Sequence, residues 1–139
     1  VKDRAMIGIW NAHSQAWLLT LFAVTMPVFA LPIFFVPLAW ARVFRWRIPQ
    51  DTDLAVYFGR CLGAFILVIE AQMLRAGLNG AGLLFTYQAL LGVSASMVLV
   101  HVWGALRRIQ PWTETLEIGM YGGMFVLTLL FYPQATLGL

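Results

Sequence analysis

Four long apolar runs divide the chain, and each is bounded by a short polar or charged segment. The first extends from about Trp17 to Trp40 and ends at Arg42-Val43-Phe44-Arg45-Trp46-Arg47. The second, Leu54 to Leu74, follows Pro49-Gln50-Asp51-Thr52-Asp53. The third, Gly82 to Leu106, ends at Arg107-Arg108, and the fourth, Thr115 to Tyr132, stops at Pro133. A helix needs about 20 mostly apolar residues to cross the hydrocarbon core of a bilayer. The runs therefore predict an all-α integral membrane four-helix bundle with short loops, one transmembrane domain over 1–139. Its spans are expected at 17–41, 54–75, 82–106 and 115–132, with residues 1–16 interfacial or flexible. In Gln110-Pro111-Trp112-Thr113-Glu114, a proline stands where a helix can begin and an acidic residue falls in its first turn, which predicts a fresh start there.

Composition supports the same class. Of 139 residues, 61% are hydrophobic and 11% charged, too few charges to coat a water-soluble body of this size. The bilayer is then the first partner. The net charge of +3 does not point to nucleic acid, because the basic residues flank apolar runs instead of forming one face. Arg42, Arg45, Arg47, Arg107 and Arg108 fall in the first and third loops, against Lys2, Arg4 and Arg75 on the other side. The positive-inside rule then predicts cytoplasmic arginine loops and both termini outside, as in a bacterial inner membrane. The tryptophans lie near span ends, where interfacial anchors belong. Pro27, Pro32 and Pro37 each remove a backbone donor, so the first span should bend and its freed carbonyls need other partners.

Small residues let helix backbones approach in lipid. Gly59 and Gly63, Gly92 and Ser96, and Gly119 and Gly123 form small-x-x-x-small pairs, one on each of spans two to four, and are expected as packing faces. Glu70 stands eleven residues after Gly59, close to three helical turns, and continues that stripe toward a neighbouring helix. Glu70 and Gln88 fall at similar depth on antiparallel spans, so a Glu70–Gln88 contact is expected, with Gln72, Arg75 and Tyr87 nearby. These four, Glu70, Gln88, Tyr87 and Gln72, are the ligand-binding candidates. Arg60, His101 and Glu117 share a depth on the opposite side and are expected as a buried polar network.

The residues limit the chemistry. A single cysteine, Cys61, excludes an internal disulfide and any cysteine-based metal cluster within this chain. His13 and His101 fall on opposite sides and cannot share one haem, which leaves His101 as a single axial ligand to a haem or chlorophyll completed by a partner or solvent; no metal site within the chain is expected. No catalytic motif is recognisable. No intrinsic cofactor is expected; a bound lipid, quinone or pigment is the kind of molecule the apolar interior would take.

Phe58-Gly59-Arg60 opening a span, followed by Gly63 and an intramembrane polar residue, resembles the small four-span DoxX-like membrane proteins over spans two to four. Members of that family have been linked to quinone-coupled redox complexes, and the resemblance implies a bioenergetic setting. The proline-rich first span and the segment from Gln110 to Glu114 have no counterpart in it, so no functional residue is carried over. Two functions follow as expectations. The first is an accessory or scaffold subunit packed against other membrane subunits or its own copies. The second is a small membrane enzyme or carrier that binds a quinone, sterol or other lipid at Glu70 and Gln88.

Overall fold

The computed structural model describes residues 6–134, and among these all regular structure is helical. Lys2 and Arg4, used above for topology, lie outside the described residues. A short 3-10 turn, Asn11–His13, leads into α1 (Ser14–Thr25), a π-helical turn (Met26–Ala30), α2 (Leu31–Phe35) and α3 (Pro37–Val43). Three longer helices follow: α4 (Asp53–Asn79), α5 (Leu83–Arg107) and α6 (Trp112–Leu130).

Among the described residues, three stretches are long and apolar enough to cross a membrane: Asn11–Phe35, Asp53–Asn79 and Leu83–Arg107, with mean hydropathies of 2.2, 1.8 and 1.8. The outward faces fit that reading, since Val68, Phe85 and Leu99 are 69%, 67% and 71% exposed. The fourth run forms a helix of 19 residues, α6, whose first two turns carry Glu114 and Glu117. That lowers its apolarity below the other three.

The first run departs most from expectation. Its helix begins at Ser14, ahead of Trp17, and ends at Phe35, because Val36 leaves helical geometry at φ −136° and ψ 58°. The three prolines explain the breaks. Pro27 sits inside the π-helical turn, where an extra residue per turn accommodates its missing donor. Pro32 opens α2 and Pro37 opens α3, positions at which a missing N–H costs little. The Val28 carbonyl, four residues before Pro32, receives the Trp40 indole N–H at 3.0 Å instead.

The glycine stripe of α4 lies against this broken helix. A Cβ on Gly63 would stand 2.6 Å from Phe34 Cα, and one on Gly59 would stand 2.6 Å from Pro37 Cβ, so only hydrogen fits at either place. Gly92, Gly119 and Gly123, expected as packing faces as well, have no neighbour within 4 Å of an added Cβ. They pack against nothing among the described residues.

The two ends of the bundle differ. At one end the residues before α1 and the turn Gly80-Ala81-Gly82 form a dense plug. Gly80 and Gly82 adopt φ of 75° and 69°, the left-handed region that favours glycine, and this lets α4 reverse into α5 within three residues. Leu18, Leu21, Met73, Ala76, Tyr87 and Leu90 bury one another here. Tyr87 Oη donates to the Ser14 carbonyl at 2.7 Å, and Trp17 Nε1 donates to Thr128 Oγ1 at 3.2 Å. The backbone N–H groups of Gly8 and Trp10 donate to the Leu129 and Leu130 carbonyls, both at 2.9 Å, capping the end of α6. At the other end, α4 and α5 diverge. There the arginine-bearing segment after α3 meets the start of α6, with Thr113 Oγ1 donating to the Phe44 carbonyl.

Gly63→Ala should lower stability by about 1–3 kcal/mol through overpacking against Phe34. Gly122→Ala, where an added Cβ meets nothing within 4 Å, should leave stability unchanged or slightly raised. Thermal unfolding of the two variants side by side in detergent checks this contrast.

Candidate functional site

Where α4 and α5 part, a cavity of about 820 Å³ opens between them, α2, α3 and the start of α6. Its walls are chiefly apolar, from residues such as Ile33, Leu62, Ile66, Val93 and Met97. The polar lining is sparse. Ser96, Gln110 and Arg47 contribute, and one wall holds a compact group of His101, Glu114, Glu117 and Tyr121.

The group arises from the hairpin of α5 and α6. His101 lies less than two turns before the end of α5. Glu114 and Glu117, three residues apart, share one face at the start of α6, so the short connection brings all three together. Arg108 closes α5 in the left-handed region at φ 55°, and Gln110 Nε2 donates to the His101 carbonyl at 3.0 Å, holding the turn in place. The carboxylates also stand at the positive end of the α6 dipole.

The distances are short and the burial deep. His101 Nε2 lies 3.1 Å from Glu114 Oε2 and 3.2 Å from Glu117 Oε2, and these side chains are only 6–7% exposed. On the far side of the imidazole, Nδ1 lies 2.7 Å from the Met97 carbonyl. The other oxygen of Glu114, Oε1, accepts from Trp46 Nε1 at 2.8 Å, tying the loop after α3 to the group. Tyr121 stacks at a tilt, its ring 5.4 Å from that of His101. Glu117 Oε1 has no hydrogen-bond partner. The three ligand-type atoms lie within 4.8 Å of one another, a spacing at which one cation could touch all of them.

The sequence expectations fare unevenly here. His101 and Glu117 meet as expected, but Arg60 does not join them: it is exposed on α4, where the second, shallower hollow also contains Asp53 and Tyr57. Glu70 is buried at 1% exposure, yet its partner is Thr25 at 2.6 Å on α1, and Gln88 faces outward. The reason is azimuth. The stripe of Gly59, Gly63 and Glu70 turns toward α1 and α2, so a residue of matching depth on α5 is out of reach. Gln72 Nε2 donates to Thr86 Oγ1 at 3.1 Å beside the α4–α5 turn, and Tyr87 is locked in the plug, so neither lines the cavity. Gly92 and Ser96 do line it. Glu114 and Tyr121 carry the site with His101 and Glu117, but Glu114 was expected only as a helix-start residue. The signal lay in the Glu114-x-x-Glu117 spacing together with a histidine one hairpin upstream. His13 lies in the 3-10 turn at the plugged end, away from His101.

No family model, curated protein or solved structure matches this chain.

Replacing His101 by Leu strands two facing carboxylates in a low-dielectric wall and should cost about 3–5 kcal/mol. The double variant His101→Leu/Glu117→Leu should recover part of that loss, because one stranded charge goes with its partner. Denaturation of the single and double variants in detergent reads the sign of this coupling.

Proposed function

We propose that this chain is a four-span membrane protein that takes an amphipathic, mainly apolar molecule into the cavity between α4 and α5. The molecule's polar end then meets His101, Glu114, Glu117 and Tyr121. The observation that carries this reading is one apolar cavity with a single concentrated polar wall, the arrangement by which small-molecule sites fix orientation. A quinone, a sterol or another lipid with a hydrogen-bonding head has the matching chemistry. The setting at Glu70 and Gln88 expected from sequence moves to the opposite end of the bundle. In this proposal α6 is the fourth span, with the arginine segments after α3 and α5 at one face. The positive-inside rule makes that face cytoplasmic, with both termini outside, as in a bacterial inner membrane. A redox or quinone-linked role, the setting implied by the DoxX-like resemblance, agrees with a quinone as occupant.

A second role is favoured by a separate observation. Gly119 and Gly123 are exposed on α6 with no neighbour within 4 Å of an added Cβ, a small-residue face free for another helix. Through it the chain would act as an accessory subunit, joined to other membrane subunits or to its own copy.

Filling the cavity separates occupant from scaffold. In Gly92→Phe the new side chain enters open space, so the helices should fold as before. Organic extraction and mass spectrometry of the washed wild-type protein should recover about one equivalent of a quinone or other amphipath. The variant should lose most of it, and equal recovery from both proteins would reject the cavity as the binding place.

A further inference from the structure

With both carboxylates ionised, the group of His101, Glu114 and Glu117 holds more acceptors than its own hydrogens can satisfy. A backbone carbonyl only accepts, so the Nδ1 at 2.7 Å from the Met97 carbonyl carries a hydrogen. Nε2 then faces two carboxylate oxygens, at 3.1 and 3.2 Å, and can bear one hydrogen at most. Glu117 Oε1 is buried without a partner among the described residues, so no donor there makes up the difference. With both carboxylates ionised, even a charged imidazole leaves two negative charges against one positive, beside a cavity whose walls are mostly hydrocarbon. Net charge in such surroundings costs several kcal/mol. A proton on one carboxyl relieves this, and so does a divalent cation at the point where the three atoms converge, which keeps both carboxylates ionised and the imidazole neutral.

The geometry agrees with the charge. Metal–nitrogen and metal–oxygen bonds to a first-row ion run at about 2.0–2.2 Å, which sets neighbouring ligand atoms roughly 3.0 Å apart at right angles and about 3.4 Å apart at a tetrahedral angle. The observed 3.1 and 3.2 Å fall between. An outer shell is in place as well. The Met97 carbonyl fixes the tautomer that frees Nε2, and the Trp46 indole N–H holds the outer oxygen of Glu114 at 2.8 Å. The imidazole selects against calcium and magnesium, which prefer all-oxygen surroundings.

We propose that His101 Nε2, Glu114 Oε2 and Glu117 Oε2 bind one divalent first-row transition ion at the wall of the cavity. This proposal departs from the expectation of no metal drawn from the sequence. Three protein ligands leave coordination positions to spare, and because all three residues line the cavity, an oxygen of a molecule or water there can complete the shell. The site stands on this chain's own side chains and does not depend on which molecule enters the cavity.

Titration of the purified full chain with Co²⁺ alone, followed by visible absorption and then displacement with Zn²⁺, tests the site. Wild type should bind one equivalent and show the ligand-field bands of cobalt in a mixed nitrogen and oxygen site. Trp46→Phe, which removes only an outer-shell donor, should weaken binding by about 10–100-fold. Glu117→Gln, which preserves shape, should weaken it further than that, while Glu70→Gln, in the other buried carboxylate, should leave it unchanged. Absence of both Co²⁺ bands and Zn²⁺ binding in wild type would overturn the proposal without reference to any variant. So would undiminished affinity in a helical, folded Glu117→Gln.

Discussion

A carboxylate inside an apolar body must be met by a group from another part of the chain, because the medium offers it neither water nor counter-ions. Most of this architecture follows from where those meetings occur. Glu70 on α4 accepts from Thr25 at the end of α1. Glu114 and Glu117 on α6 converge on His101 of α5, and Trp46 brings the loop after α3 to the same place. The polar contacts thus define two pairs, the broken first helix with α4 and the hairpin of α5 with α6. The plug of Leu18, Tyr87 and their neighbours joins these pairs at one end. At the other end α4 and α5 stand apart, bridged by the segment after α3 through Trp46–Glu114 and Thr113–Phe44, and the space so enclosed is the cavity.

The prolines make this division workable. A straight first helix could not lie along α4 and also turn its last residues across the mouth of the cavity. The π-helical turn and the break at Val36 let α2 and α3 follow the glycine stripe of α4, with Phe34 on Gly63 and Pro37 on Gly59. Trp40 stacks on Phe44 with ring centroids 4.4 Å apart, and its indole N–H meets the Val28 carbonyl. Bend and stripe are complementary. Neither would be stable without the other, since close approach requires glycine on one side and a displaced backbone on the other.

Level along the bundle axis is legible in the sequence, and azimuth around each helix largely is not. Length and the rise per residue put His101 level with Glu117 and marked Glu70 as a residue that must face protein. The same arithmetic paired Glu70 with Gln88 and added Arg60 to the histidine group, because equal depth says nothing about which neighbour a face looks toward. The stripe of Gly59, Gly63 and Glu70 was correctly seen as one face, but its partner is the bent first helix, whose course the prolines alone do not dictate. Glu114 was hidden by its second role. An acid in the first turn of a helix already has a local reason to be there, so its part in a buried cluster emerges only when the hairpin closes.

The proposed function rests on a cavity with one polar wall, held to orient what enters. Photolabelling tests that most directly, using the full chain in bilayers with a long-chain alcohol that carries a diazirine near its hydroxyl, followed by peptide mapping. Adducts concentrated near Met97, His101 and Tyr121, and suppressed by Gly92→Phe, are the expected result. Labelling spread over the outward residues Val68, Phe85 and Leu99, with none at the cavity wall and no effect of the substitution, would contradict it.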